Sequence, residues 1–197
     1  MFIHDETTAY ELGAITPDPQ TAKWIMPLAE HLLGTTATLL CMRQSMPWQD
    51  GGALLISAAV GALNQFDLIC NLFGALVEHV GFDDMLAGGL DHHYIRHTAG
   101  LGAMDIRLTG STGDPVTDIH MAISATQRTR TMCDNILRIA TAPGVARVIE
   151  LVRGQQVGMA GALCGLLGEV QAAMAEQGVY AYNAAFDVCD IRHAHDQ

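Results

Sequence analysis

Gly52-Ala-Leu-Leu-Ile-Ser-Ala-Ala-Val-Gly-Ala-Leu-Asn-Gln-Phe-Asp-Leu-Ile-Cys-Asn-Leu-Phe-Gly-Ala-Leu-Val77 contains a single charged side chain, Asp67. The run is long enough for about seven helical turns. Ile56, Ala59, Val60, Leu63, Asp67, Cys70, Gly74 and Val77 recur at three- and four-residue steps, the spacing of one helix face. The pattern predicts a helix over 52–79 that buries this stripe, with Asp67 on it. An unpaired buried carboxylate is expensive, so Asp67 is predicted to be paired, protonated or functional.

Working outward, three more helical patterns cover about 19–45, 115–141 and 143–177. Asp18-Pro19 and Asp114-Pro115 each supply an N-cap and a first-turn proline. The first pattern places Ile25, Leu28, Ala29, Leu32, Thr36, Leu39 and Leu40 at core spacing. The third does so for Ile119, Ala122, Ile123, Thr126, Cys133, Leu137 and Ala140. The last predicts burial of Val145, Val148, Ile149, Val152, Met159, Leu163 and Leu166. Short loops at 47–51 and 141–143 make helices one and two, and three and four, antiparallel neighbours. Residues 80–114 are too long for a tight turn and are expected to cross the bundle. Two helical hairpins joined by one long crossover is the ferritin-like topology, so the expectation is an all-α, single-domain chain over 1–197. Its core bundle would span about 19–177, and 178–197 would form a tail.

Half of the 197 residues are apolar and only 16% are charged, as suits a heavily buried helical protein. Twenty-one acidic against ten basic residues give a formal charge of -11, which opposes nucleic acid and anionic membranes. The N-terminus lacks the pattern of a secretory signal. No run reaches the roughly 18 uninterrupted apolar residues of a membrane span. A cytoplasmic protein with neither nucleic-acid nor membrane partners is the expectation. Cys41, Cys70, Cys133, Cys164 and Cys189 include no CxxC pair and read as reduced core thiols. Gly158-Met-Ala-Gly161-Ala-Leu-Cys-Gly165 reads as a face for tight packing between helices or subunits.

In this order the chain resembles the manganese catalases, ferritin-like enzymes that disproportionate hydrogen peroxide at a dimanganese centre. The likeness comprises Met1-Phe2-Ile3-His4, Asp18-Pro19 with Ala22, Gly34-Thr35-Thr36, Trp48 and Leu86-Ala-Gly-Gly-Leu-Asp-His-His93. It continues through Ser111-Thr-Gly-Asp-Pro-Val-Thr-Asp118, Arg130 and Gly144-Val145. The resemblance implies one Glu from each of helices one and three, and a Glu-x-x-His from each of helices two and four. At the implied positions this chain carries Thr35, Asp67 with Cys70, Thr126, and Gln156 with Met159. Two divalent ions repel and need several anionic ligands close by, so these residues are expected to hold no dimanganese centre.

Asp67, Cys70 and Met159 could instead form a soft-metal site, against the plainer reading that Cys70 and Met159 fill core volume. Arg130, one turn after Thr126, is the natural ion-pair partner for Asp67. Together with Gln156 they would make a polar layer or pocket floor. His93 and His97 have a metal-clamping i, i+4 spacing, but a solvated crossover is the plainer reading. His193 and His195 could bind metal adventitiously. His31 shares the helix face of Thr35 and could join Asp67 in a relocated ligand set. No Ser-His-Asp, P-loop or dinucleotide motif is present in a suitable context. The reading is a homo-oligomeric binding or scaffold protein, hexameric by the resemblance, without cofactor and with room for a small-molecule ligand. One alternative is an oxidoreductase with manganese, iron or zinc at an altered site, still acting on peroxide. The other is cofactor-independent chemistry with Asp67 as general base.

Overall fold

Asp18 opens the first helix by accepting hydrogen bonds from the backbone N–H groups of Gln20 and Thr21, both at 3.1 Å, while Pro19 fills the first turn. Asp114 caps a later helix through Thr117 N–H at 3.0 Å, ahead of Pro115. These are the two start signals of the sequence. The computed structural model describes residues 15–88, 90 and 110–177. They form α1 (Pro19–Ser45), α2 (Gln49–Val77), α3 (Phe82–Ala87), α4 (Pro115–Ile139) and α5 (Pro143–Gln177), with no strand among the described residues. The fold is all-helical.

α1 packs on α2 and α4, and α5 packs on the same two helices. Ser45 at the end of α1 reaches Asp118 in the first turn of α4 at 3.2 Å. Ile25 and Leu28, near the start of α1, share a cluster with Cys133 and Ile136 near the end of α4. The two helices are therefore antiparallel. Likewise Gly51 of α2 faces Leu166 of α5, while Gln65 bonds Gln156. α2 and α4 consequently run the same way, and the chain must leave one end of the helices and re-enter at the other. At the first end Asp18 N–H donates to the Leu76 carbonyl at 2.8 Å, and Gly88 lies against Pro19. At the second, Ser111 meets Ser45 at 2.5 Å. Residues 91–109, part of the segment that the sequence reading expected to cross the bundle, lie outside the described residues.

The core consists of two apolar clusters. One holds Ile25, Leu32, Ile69, Leu72, Cys133, Ile136 and Val152, and the other Leu39, Met42, Leu55, Ile119, Leu163 and Val170. α1, α4 and α5 bury nearly the expected residues, apart from Leu40, which is exposed, and Ile123, Leu137, Ala140 and Met159, which are half-buried. α2 corrects the reading. Its buried side is Leu55, Ala58, Ala59, Ala62, Gln65, Leu68, Ile69, Leu72 and Leu76. Ile56 and Val60 are 43% and 50% exposed, so most of the stripe chosen from the sequence faces outward. α2 is apolar nearly all round, and apolar spacing alone fits both faces.

The cysteine reading is revised as well. Cys41, Cys70 and Cys164 are exposed free thiols, and among the described cysteines Cys133 is the core one. Burial pushes the Cys133 thiol up to about 12, the Asp134 carboxylate adding and Arg153 opposing. Three helices, Pro19–Ser45, Gln49–Val77 and the Pro143–Glu176 stretch, are long and apolar enough to cross a membrane by length and composition. The sequence reading asked for an unbroken apolar run, whereas isolated Asn, Gln and Thr residues interrupt these helices without making them hydrophilic.

Candidate functional site

Between the two apolar clusters lies a layer of buried polar side chains contributed by all four long helices: Thr35 and Thr36 from α1, Gln65 from α2, Thr126 and Thr129 from α4, and Gln156 from α5. A hydroxyl in this setting must find an acceptor, and the nearest is the carbonyl of its own helix one turn back. Thr35 donates to the His31 carbonyl at 2.8 Å, Thr36 to Leu32 at 2.9 Å, Thr126 to Ile123 at 2.8 Å and Thr129 to Ala125 at 3.0 Å. The two amides pair across the bundle: Gln156 Nε2 donates to Gln65 Oε1 at 2.5 Å, and Gln65 Nε2 donates to Gln155 Oε1 at 2.9 Å. Gln65 and Gln156 are 2% and 1% exposed, so water does not substitute for these bonds. The layer is neutral and its amide pairing is internal.

The structure places Thr35, Thr126 and Gln156 in this layer, as the sequence suggested, and adds Gln65. The i, i+3 pair that α2 turns inward is Gln65 and Leu68, two residues before Asp67 and Cys70, and it matches Gln156 and Met159 on α5. Two residues rotate a helix by about 200°, which puts Asp67 on the half-exposed side, where it accepts from Asn71 Nδ2 at 3.5 Å. The expected burial of Asp67 on the core stripe is corrected accordingly. Cys70 is exposed, and Met159 packs near Gly61. Gly61 is about 13 Å along the α2 axis from Cys70, so Asp67, Cys70 and Met159 do not form a cluster. Arg130 is half-buried with its Nε enclosed and without a hydrogen-bond partner. His31 is outside the layer: its Nε2 donates to the Ala125 carbonyl at 3.1 Å, across α1 and α4. Burial holds the His31 imidazole below its ordinary value; the Ala125 hydrogen bond opposes this and the Arg128 charge adds to it. His93, His97, His193 and His195 lie outside the described residues.

The fit of the layer to a pair of divalent cations is decided by its donors. Thr oxygens and Gln amides are neutral, and manganese prefers carboxylate and imidazole. Two adjacent divalent ions without anionic ligands would repel unopposed. The residues present do not fit a dimanganese centre. Among the described residues no group of three or more His, Cys, Asp or Glu side chains is placed to hold a metal.

The buried carboxylate of the described core is Asp118, 1% exposed. Ser45 and Ser111 hydroxyls donate to its Oδ2, and Thr112 donates to Oδ1 through N–H at 2.8 Å and Oγ1 at 2.7 Å. Sequence reading quoted Asp118 within a motif but missed its burial, because Ser45 comes from 73 residues away. A polar Ser-Thr-Gly-Asp run leading into a helix was the available signal.

Over 167 residues the chain is 21% identical to Protein CotJC of Bacillus subtilis (strain 168), covering 80% of this chain and 88% of that protein. No family model matches.

Proposed function

We propose that this chain is a ferritin-like bundle of manganese-catalase type whose metal layer is replaced by neutral side chains, and that it works as a homo-oligomeric binding or scaffold protein rather than a catalase. The Gln65–Gln156 amide pair carries the reading. It lies in the bundle interior, with Gln156 at a position where the resemblance implies a carboxylate and Gln65 turned inward two residues before Asp67, the α2 position the resemblance pointed to. The helix order, the crossover between opposite ends and the distant likeness to Protein CotJC support the family side of it. Asp67 lies on the half-exposed side of α2 and not in the buried layer, so the buried stripe that motivated a general-base role does not include it.

Metal analysis of protein produced in manganese-rich medium tests the reading. The expected result is no stoichiometric manganese, iron or zinc and no oxygen release from peroxide. Two manganese ions per subunit with vigorous oxygen release would overturn it, and one tightly held iron or zinc with turnover would establish the altered-site oxidoreductase instead.

Self-association is supported by the outer faces. Only 17% of the apolar stretch of α5 is buried within the chain, against 44% for α1. Leu151 and Val157 are exposed, and Gly154, Gly158, Gly161, Gly165 and Gly168 recur at four- and three-residue steps with open space beside each. Small residues at this spacing let a neighbouring helix approach closely. Gly161→Leu meets nothing within 4 Å in the monomer, so it should leave helicity intact and lower the mass measured by light scattering. If the face is solvated, Gly158→Ala should instead only stabilise the chain, by roughly 0.5–1 kcal/mol, with the mass unchanged.

A further inference from the structure

Beside the polar layer, and sharing Thr35 with it, a groove of about 520 Å³ runs between α1 and α4. It is lined mainly by apolar atoms, including those of Leu39, Met121 and Ala125, and its floor at Gly34 has no atom within 4 Å of where a side chain would begin. Its lining includes His31, His120 and Arg128 and no carboxylate, in a chain whose formal charge is -11.

The hydroxyls beside it are committed. Thr38 donates to the Gly34 carbonyl at 2.9 Å and Ser124 to the His120 carbonyl at 2.9 Å. His31 spends Nε2–H on the Ala125 carbonyl at 3.1 Å, which leaves Nδ1 facing away from that bond. The remaining strong donors are the Arg128 guanidinium and the His120 ring. A guanidinium pairs with a carboxylate through two parallel hydrogen bonds, a geometry a neutral ligand cannot match. Thr117 and Arg128 stand eleven residues apart on α4, so the groove extends about 16 Å along the helix. That length and an apolar lining suit a single extended hydrocarbon body, and the volume is in the range of small-molecule sites.

We infer that the α1–α4 groove binds a small amphipathic carboxylate, its head group on Arg128 and its apolar body along Leu39, Met121 and Ala125. The inference is independent of the proposal about the metal layer. Isothermal titration of the full-length protein with decanoate tests it, with decanol as the uncharged control. One saturable site is expected, with decanol at least tenfold weaker. Arg128→Gln should weaken decanoate about tenfold or more, the loss of one charge-assisted pairing. Gly34→Leu should abolish binding by filling the groove. Both variants should keep the wild-type circular dichroism and melt no lower than the wild type, because Arg128 is exposed and Gly34 borders open space within a helix. The absence of saturable binding, equal affinity for decanol, or titration curves unchanged by Gly34→Leu would each overturn the assignment.

Discussion

Asp118→Ala should cost about 3 kcal/mol of unfolding free energy, read from the midpoint of a urea titration with an unchanged slope. Both oxygens of this carboxylate are engaged by donors from outside its own helix: Ser45 from the end of α1, and Ser111 and Thr112 from the segment entering α4. Hydrogen bonds to a charged acceptor contribute about 1.5–3 kcal/mol each, and stranding buried donors costs more than the bonds return. The hydroxyls can turn to other acceptors, but the Thr112 N–H cannot, which keeps the estimate below the sum of the bonds. Asp118→Asn retains the oxygen that faces Thr112 and presents an amide to Ser45 and Ser111, whose hydroxyls can reverse and accept. Its cost should be about 1 kcal/mol. Equal losses for Ala and Asn would mean that charge, rather than the geometry of the donors, holds this corner together.

Gln65→Glu combined with Gln156→Glu should destabilise the protein by about 3–5 kcal/mol at pH 7 and far less at pH 4. The two amides are hydrogen-bonded in a nearly inaccessible layer, so the new carboxyls would be desolvated and would repel each other if both ionised. Both effects raise the folded-state pKa above the ordinary value of about 4.3. The sign follows from proton counting. Above that value the unfolded chain has released protons that the folded chain retains, so stability falls as pH rises until the raised folded pKa is passed. Below it both states are protonated and the penalty is absent. Urea titrations of variant and parent at pH 7 and pH 4 measure the difference. A gap that does not change with pH would show that the carboxylates reach water and that the layer is less enclosed than its geometry indicates.

α4 was legible because its polar and apolar residues separate onto distinct faces. α1 and α5 carry apolar residues on their outer sides too, and there the register chosen for Ile25, Leu32, Val148 and Val152 was the buried one. Asp18-Pro19 and Asp114-Pro115 marked two starts correctly, since both act through bonds within a few residues of themselves. α2 was legible as a helix but not in its orientation. Ile56 and Val60 are as apolar as Leu55 and Leu72, and spacing cannot tell a face that packs inward from one that looks outward. That ambiguity moved attention from Gln65 to Asp67. A neutral amide among leucines draws no notice in a sequence, while a charge does, and the partner that explains Gln65 is 91 residues away. Thr35, Thr126 and Gln156 were found because the family likeness pointed to their positions, whereas the burial of Asp118 also depends on Ser45 at the far end of α1, a contact that the Ser-Thr-Gly-Asp run before α4 does not announce.

The interior belt of threonines and glutamines also sets a direction for sequence drift. A single carboxylate introduced there would be desolvated and penalised unless it reached a cation such as Arg130, whose enclosed Nε has no hydrogen-bond partner. Building an ion-binding interior there therefore has no downhill route through single substitutions. Several acids would have to arrive together with their metal, so the neutrality of this middle layer restricts which single substitutions it can accept.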